Sequence, residues 1–183
     1  MRRLTVICVL PVLLLASSNA IANLVDFEGV PAAYHYPGDL GHYYPGLYFW
    51  PGATIIDNPY YYPPHSGISE LQGVGNSTIR VDFDAGATYA EVWYVSAHPF
   101  YMEAYGAGNV LLDSDSGIAN WGDNSLLLSV SGGNIAYVLF HDSGNAYTLD
   151  DLKYTPVATP VPAAVLLGIL GLSTAGLKLR KFV

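Results

Sequence analysis

In the stretch TIRVDFD, Ile79, Val81 and Phe83 fall on one parity and Arg80, Asp82 and Asp84 on the other. That two-residue period marks a strand with one face buried and one in water. NIAYVLFHD is apolar on both parities, as a central strand would be. LVDFE, GLYFW, ATIID, TYAEVWYVS, FYMEAYG, NVLLD, LLLSVS and AYTLDDLKY are further strand candidates. They are short, and Ala85-Gly86, Gly106-Ala107-Gly108, Gly132-Gly133-Asn134 and Ser143-Gly144-Asn145 read as turns between them. About eight to ten strands at this spacing predict an all-β fold, an antiparallel β-sandwich or jelly roll.

One segment breaks the rhythm. Eight of the fifteen tyrosines lie between Tyr34 and Tyr62, with Trp50 among them, and Pro37, Pro45, Pro51 and Pro59 interrupt any regular ladder. The pattern predicts an extended, loop-rich segment holding two short strands.

Both ends are apolar in a different way. Arg2 and Arg3, the run Leu4 to Ala16 and the small-x-small site Ala20-Ile21-Ala22 make up a secretory signal, with cleavage expected between Ala22 and Asn23. At the other end, Val161 to Leu177 would span roughly 25 Å as a helix at about 1.5 Å per residue. That is short of the roughly 30 Å hydrocarbon core. Lys178, Arg180 and Lys181 follow it and would hold that end in the cytoplasm. The expected organisation is a signal peptide (1–22), a β-sandwich domain (23–155), a proline linker (156–160), and a single transmembrane helix with a basic tail (161–183).

Charge narrows the partners. Between Asn23 and Thr155 only Arg80 and Lys153 stand against all fifteen acids. Such a surface repels phosphate backbones, so nucleic acid is not expected as a partner. The single cysteine, Cys8, lies inside the signal, so no disulfide or thiol chemistry is available to the domain.

Catalytic constellations are missing. The run His141-Asp142-Ser143-Gly144 places adjacent residues on alternating faces and assembles no triad. No nucleophile elbow, phosphate loop or zinc-helix motif is present, so the domain is expected to be non-enzymatic.

Two other groupings carry chemistry. Asp26 and Glu28 share parity on LVDFEG, and Asp150 and Asp151 lie on TLDDLKY, where Asp150 shares parity with Leu152 and Tyr154. If the first and last strands are neighbours, these carboxylates would gather as oxygen ligands for a structural Ca²⁺; the alternative is that Asp150 caps backbone amides. Among the aromatics, Trp121 in SGIANWGDN, the run Tyr60, Tyr61 and Tyr62, and Trp50 are candidate platforms for sugar rings, while Trp93 in AEVWYV is expected in the core.

The closing residues Thr159-Pro160-Val161-Pro162-Ala163-Ala164, with the apolar stretch and basic tail after them, resemble the PEP-CTERM sorting signal of Gram-negative bacteria. Val161 stands where that motif has glutamate, a departure in the form of a Pro-x-Pro-Ala-Ala variant. The resemblance implies recognition around Pro160 and Pro162 by an exosortase, a membrane protease that acts near the proline motif, and delivery to the cell surface or extracellular matrix. VDFEG, MEAYGAGNVLLD and FHDSGNAYTLDDLKY resemble galactose-binding-like and carbohydrate-binding jelly rolls, which implies a structural calcium at the positions of Glu28 and Asp150. The expectation is an exported protein that meets signal peptidase, exosortase and extracellular polysaccharide. The alternatives are a permanently anchored periplasmic sandwich and a hydrolase of matrix glycans.

Overall fold

The computed structural model describes residues 21–31, 34, 40–57, 60–73, 78–144 and 146–158. The chain divides into two units, Ala20–Val157 and the pair Met1–Asn19 with Ala158–Val183. The second falls almost wholly outside the described residues. So do the expected membrane helix and the sorting residues Pro160, Pro162, Lys178, Arg180 and Lys181. Among the described residues no helix is long and apolar enough to cross a membrane. Ala22 and Asn23 are exposed where the first strand begins.

The first unit is all-β and antiparallel. Its strands are β1 (Asn23–Val25), β2 (Leu47–Phe49), β3 (Ala53–Asp57), β4 (Ser69–Gly73), β5 (Ile79–Ser96), β6 (Phe100–Tyr105), β7 (Leu111–Gly117), β8 (Leu126–Asp142) and β9 (Tyr147–Pro156). A 3-10 turn, Ala107–Asn109, joins β6 to β7. The hydrogen-bonded order is β3-β4-β9-β5-β8-β6-β7, with β1 beside β9 and β2 beside β5.

The structure corrects the strand count in the middle of the chain. TIRVDFD and TYAEVWYVS, expected as separate strands, form one strand of 18 residues, and LLLSVS joins NIAYVLFHD in another of 17. Ala85-Gly86 and Gly132-Gly133-Asn134 are bends inside these strands, where the β5–β8 register shifts. Gly86 has φ +73, and a Cβ there would lie 2.0 Å from Asn134 Oδ1, so the two bends touch. Glycine supplies the left-handed conformation and the clearance that the corner needs.

The bends fold the sheet into two layers that share β5 and β8, as in a β-sandwich. One layer joins β3, β4, β1 and β9 to the C-terminal part of β5 and the start of β8. The other joins β2, the start of β5, the end of β8, β6 and β7. Leu71, Val92, Leu149 and Leu152 from the first layer share one core with Val81, Phe83, Met102, Val138 and Phe140 from the second. The Tyr147 hydroxyl crosses this core, accepting from Ile79 N at 3.0 Å and donating to Phe140 O at 2.7 Å.

Two parity arguments are also corrected. β1 and β9 are neighbours, with Val25 opposite Leu152, but β1 stops at Val25 and Phe27 turns to φ +58, so Asp26 and Glu28 lie beyond the strand. On β9 the β5 register shifts between Glu91 and Trp93, and Asp151 takes φ +48. This bulge reverses the faces: Tyr147 and Leu149 before it and Leu152 and Tyr154 after it all enter the core. Asp150 therefore lies on the outer face of the first layer, buried there beneath a loop.

Candidate functional site

That loop, residues 60–68, returns from β3 to β4 across the outer face of the first layer. Trp93, expected in the core, lies on this face opposite Asp150. The His65 ring stacks on it at 3.7 Å with an interplanar angle of 9°. Val95, Glu70, Thr148 and Asp150 are buried on the same face. The layer thus has a second, smaller packed zone that the loop closes.

The loop also carries tyrosines to one end of the sandwich. β5, β7 and β8 all end there, and β6, β8 and β9 all begin there. Tyr61 lies 5.0 Å from Trp121 between ring centroids, and Tyr60 meets Tyr61 edge-on at 4.7 Å. Gly122 N donates to Tyr61 O at 3.1 Å and ties the two loops together. Tyr60 is 88% exposed, Tyr61 53% and Trp121 54%, so large aromatic faces stay open to solvent. Tyr62 is half-buried instead, and burial together with the Asp142 charge pushes its phenol up.

Beside Trp121 the same loop lines a shallow cleft of about 280 Å³ with Ile118, Ala119, Asn120, Asp123, Asn124 and Leu126. Asn120 is buried and fixes the base of the loop: its Oδ1 accepts from Ser96 N at 2.8 Å, and its Nδ2 donates to Tyr94 O and Asn124 O. Aromatic faces next to exposed polar side chains, here Asp123 and Asn124, suit a ligand that is apolar on one side and hydroxylated at its edge.

Trp50 is not part of this platform. It lies with the outer face of the second layer, where the Arg80 guanidinium sits 4.7 Å from its ring and 3.8 Å from that of Tyr137. Tyr137 stacks in turn on Tyr105 at 5.0 Å. Asp82 binds Trp50 Nε1 at 3.0 Å and Arg80 Nε at 2.6 Å. The ring faces of this row are occupied by each other, which leaves few for a ligand. Its period-two spacing was visible in TIRVDFD, but nothing in one strand shows which neighbours will stack.

The carboxylates expected to bind calcium meet only in part. Ligand atoms of His65, Asp150 and Asp151 lie within 4.8 Å of one another. Asp150 Oδ2 accepts from Ser66 N at 2.7 Å and Oδ1 from Asp151 N at 2.7 Å. Asp151 accepts from Ser66 Oγ at 3.0 Å, and its Oδ2 lies 2.6 Å from His65 Nδ1. Glu28 Oε1 accepts from Ile68 N and Ser69 N, and Asp26 Oδ1 from Glu28 N. A calcium ion takes six to eight oxygens, whereas these oxygens face hydrogen donors and a ring nitrogen. Converging N–H groups favour an anion, here the carboxylate itself. This donor set does not fit Ca²⁺.

Burial pushes the Asp150 carboxyl up to about 6, with the Asp151 charge adding and the amide bonds opposing. Burial pushes Glu70 further, to about 8; Thr148 Oγ1 opposes this and the Asp150 charge adds to it. Glu70 Oε2 has no hydrogen-bond partner. Because the folded value lies above the ordinary 4.5, the fold holds this proton more tightly than the unfolded chain does. The contribution is complete below pH 4.5 and is lost as pH rises through about 8. Glu70→Gln is expected to flatten the fall of stability with pH across that window and to raise stability at its upper end. Urea unfolding at successive pH values checks this, and an unchanged slope would contradict it.

No protein-family model matches the chain, and no curated protein matches it. Among solved structures it is similar to a point mutant of a carbohydrate-binding module of family 29, at 11% identity and TM-score 0.46, covering 74% of this chain and 92% of that one. CsCBM6-3 from Clostridium stercorarium, solved with cellobiose, is similar at 15% identity and TM-score 0.41 over 73% and 93% of the two chains. The K1 cleaved adhesin domain of Lys-gingipain from Porphyromonas gingivalis is similar at 13% identity and TM-score 0.43 over 74% and 98%. At TM-scores below 0.5 these likenesses decide nothing about a ligand.

Proposed function

We propose that this chain is an exported, non-enzymatic β-sandwich protein that binds extracellular polysaccharide through Tyr60, Tyr61 and Trp121. The observation that carries the reading is the platform itself: three exposed aromatic rings from two loops, joined by a backbone hydrogen bond, beside a cleft with Asn120, Asp123 and Asn124. A sugar ring laid on Trp121 would bury its C–H face there, and its hydroxyls would meet the polar groups of the cleft. The acidic surface suits neutral or cation-bridged polymers and disfavours nucleic acid.

Delivery belongs to the same proposal. Signal peptidase would cut after Ala22, and an exosortase would act near Pro160 and Pro162 while Lys178, Arg180 and Lys181 hold the tail in the inner membrane. The intact mass of the protein from its host tests this part: a mass that excludes Lys181 is expected, and one that includes it would mean a permanent anchor. Affinity electrophoresis of the full-length protein in gels containing the host's extracted polysaccharides tests binding. Retardation in at least one polymer is expected, and migration unchanged in all of them would overturn the reading.

A further inference from the structure

We infer that Glu28, Asp150 and Asp151 are positioning residues for the aromatic platform, Glu28 and Asp150 anchoring the loop 60–68 by its amides and Asp151 by the Ser66 hydroxyl and the His65 ring, without a metal ion. The inference rests on the platform being the binding site, but the anchoring has its own readout.

Pro63 and Pro64 have no N–H to give, so the middle of this loop cannot join a ladder, and between Tyr61 and β4 its amide bonds come from the residues after them. There Ser66 N goes to Asp150, and Ile68 N and Ser69 N go to Glu28. Ser66 Oγ goes to Asp151, and the His65 ring reaches the same carboxylate while it lies flat on Trp93. Ser69 Oγ closes the loop onto Asp57 at the end of β3.

The acids come from opposite ends of the chain, and backbone geometry aims them. The bulge at Asp151 turns Asp150 out of the core and under the loop. Gly67, at φ +56, lets Glu28 approach; a Cβ there would lie 2.1 Å from Glu28 Oε1. Charge-assisted bonds of this kind are the stronger sort, and these oxygens are turned toward the loop. Tyr60 and Tyr61 lie a few residues upstream, so the same contacts set how the Tyr61 ring meets Trp121.

Amide hydrogen exchange on the full-length protein tests the inference. Glu28→Ala is expected to speed exchange at Ile68 and Ser69 by about 10- to 100-fold. Core amides such as Val138 and Phe140 should stay unchanged. Glu28→Gln keeps an acceptor oxygen and should restore most of the protection. Excess EDTA, or millimolar Ca²⁺, should leave every one of these rates as it was. Faster exchange at Ser66, Ile68 and Ser69 in EDTA, or protection of them by Ca²⁺, would overturn the inference, as would unchanged rates in Glu28→Ala. If the exchange pattern holds while the wild type binds no polysaccharide, the functional reading fails and the anchoring stands.

Discussion

Replacing Asp142 with alanine is expected to lower the unfolding free energy by about 3 kcal/mol, because it strands one buried hydroxyl and two part-buried amides at once. Asp142 is buried at the end of β8 and accepts from Ser96 Oγ at 2.8 Å, from Gly144 N at 2.9 Å and from Ala146 N at 3.3 Å. It therefore shapes the turn into β9 and holds the last residue of β5 in one side chain. Ser96 is also where Asn120 docks, so the loss extends to the loop that presents Trp121. Asp142→Asn retains one acceptor and should cost less than the alanine variant. Urea unfolding of the three proteins measures the difference, and an alanine variant within about 0.5 kcal/mol of wild type would contradict this role.

His141 to Gly144 shows what one sequence can and cannot tell. The residues do not form a triad, as alternation of faces requires, yet their structural task depends on Ser96 and Asn120, far away in the chain. Strand content and antiparallel pairing were legible because alternation in TIRVDFD and the apolar run NIAYVLFHD report burial directly. The merging of strands was not, since a glycine pair gives the same signal for a turn and for a bend within a strand. The bulge at Asp151 defeated parity for a related reason: one extra residue reverses every face beyond it, and no local pattern marks where it sits.

The candidate site was legible in its parts. Trp121 and the Tyr60–Tyr62 run were singled out because aromatics among Gly, Pro, Asn and Asp tend to be exposed, and the fold brings Tyr60, Tyr61 and Trp121 together. Trp50 carried the same signal, and the Arg80 guanidinium against its ring and the Asp82 carboxylate on its Nε1 separate it from the others. His65 and Ser66 were missed, since their importance comes from Trp93, Asp150 and Asp151, which approach only in the folded chain.

That contrast between two exposed tryptophans gives the second large effect. Trp121→Ala removes the broadest ring of the platform, and truncating such an anchor at the centre of a contact costs about 2 kcal/mol or more, roughly 30-fold in affinity. Trp50→Ala removes a ring of similar exposure, 43% against 54%, whose partners are Arg80 and Asp82. General loss of hydrophobic surface would weaken both variants alike.

The most direct measurement is therefore the retardation of wild type, Trp121→Ala and Trp50→Ala in gels containing graded amounts of the host polysaccharide. The platform account predicts that Trp121→Ala migrates almost as it does without polymer, while Trp50→Ala is retarded like wild type. Full retardation of Trp121→Ala, or its loss in Trp50→Ala alone, would contradict it.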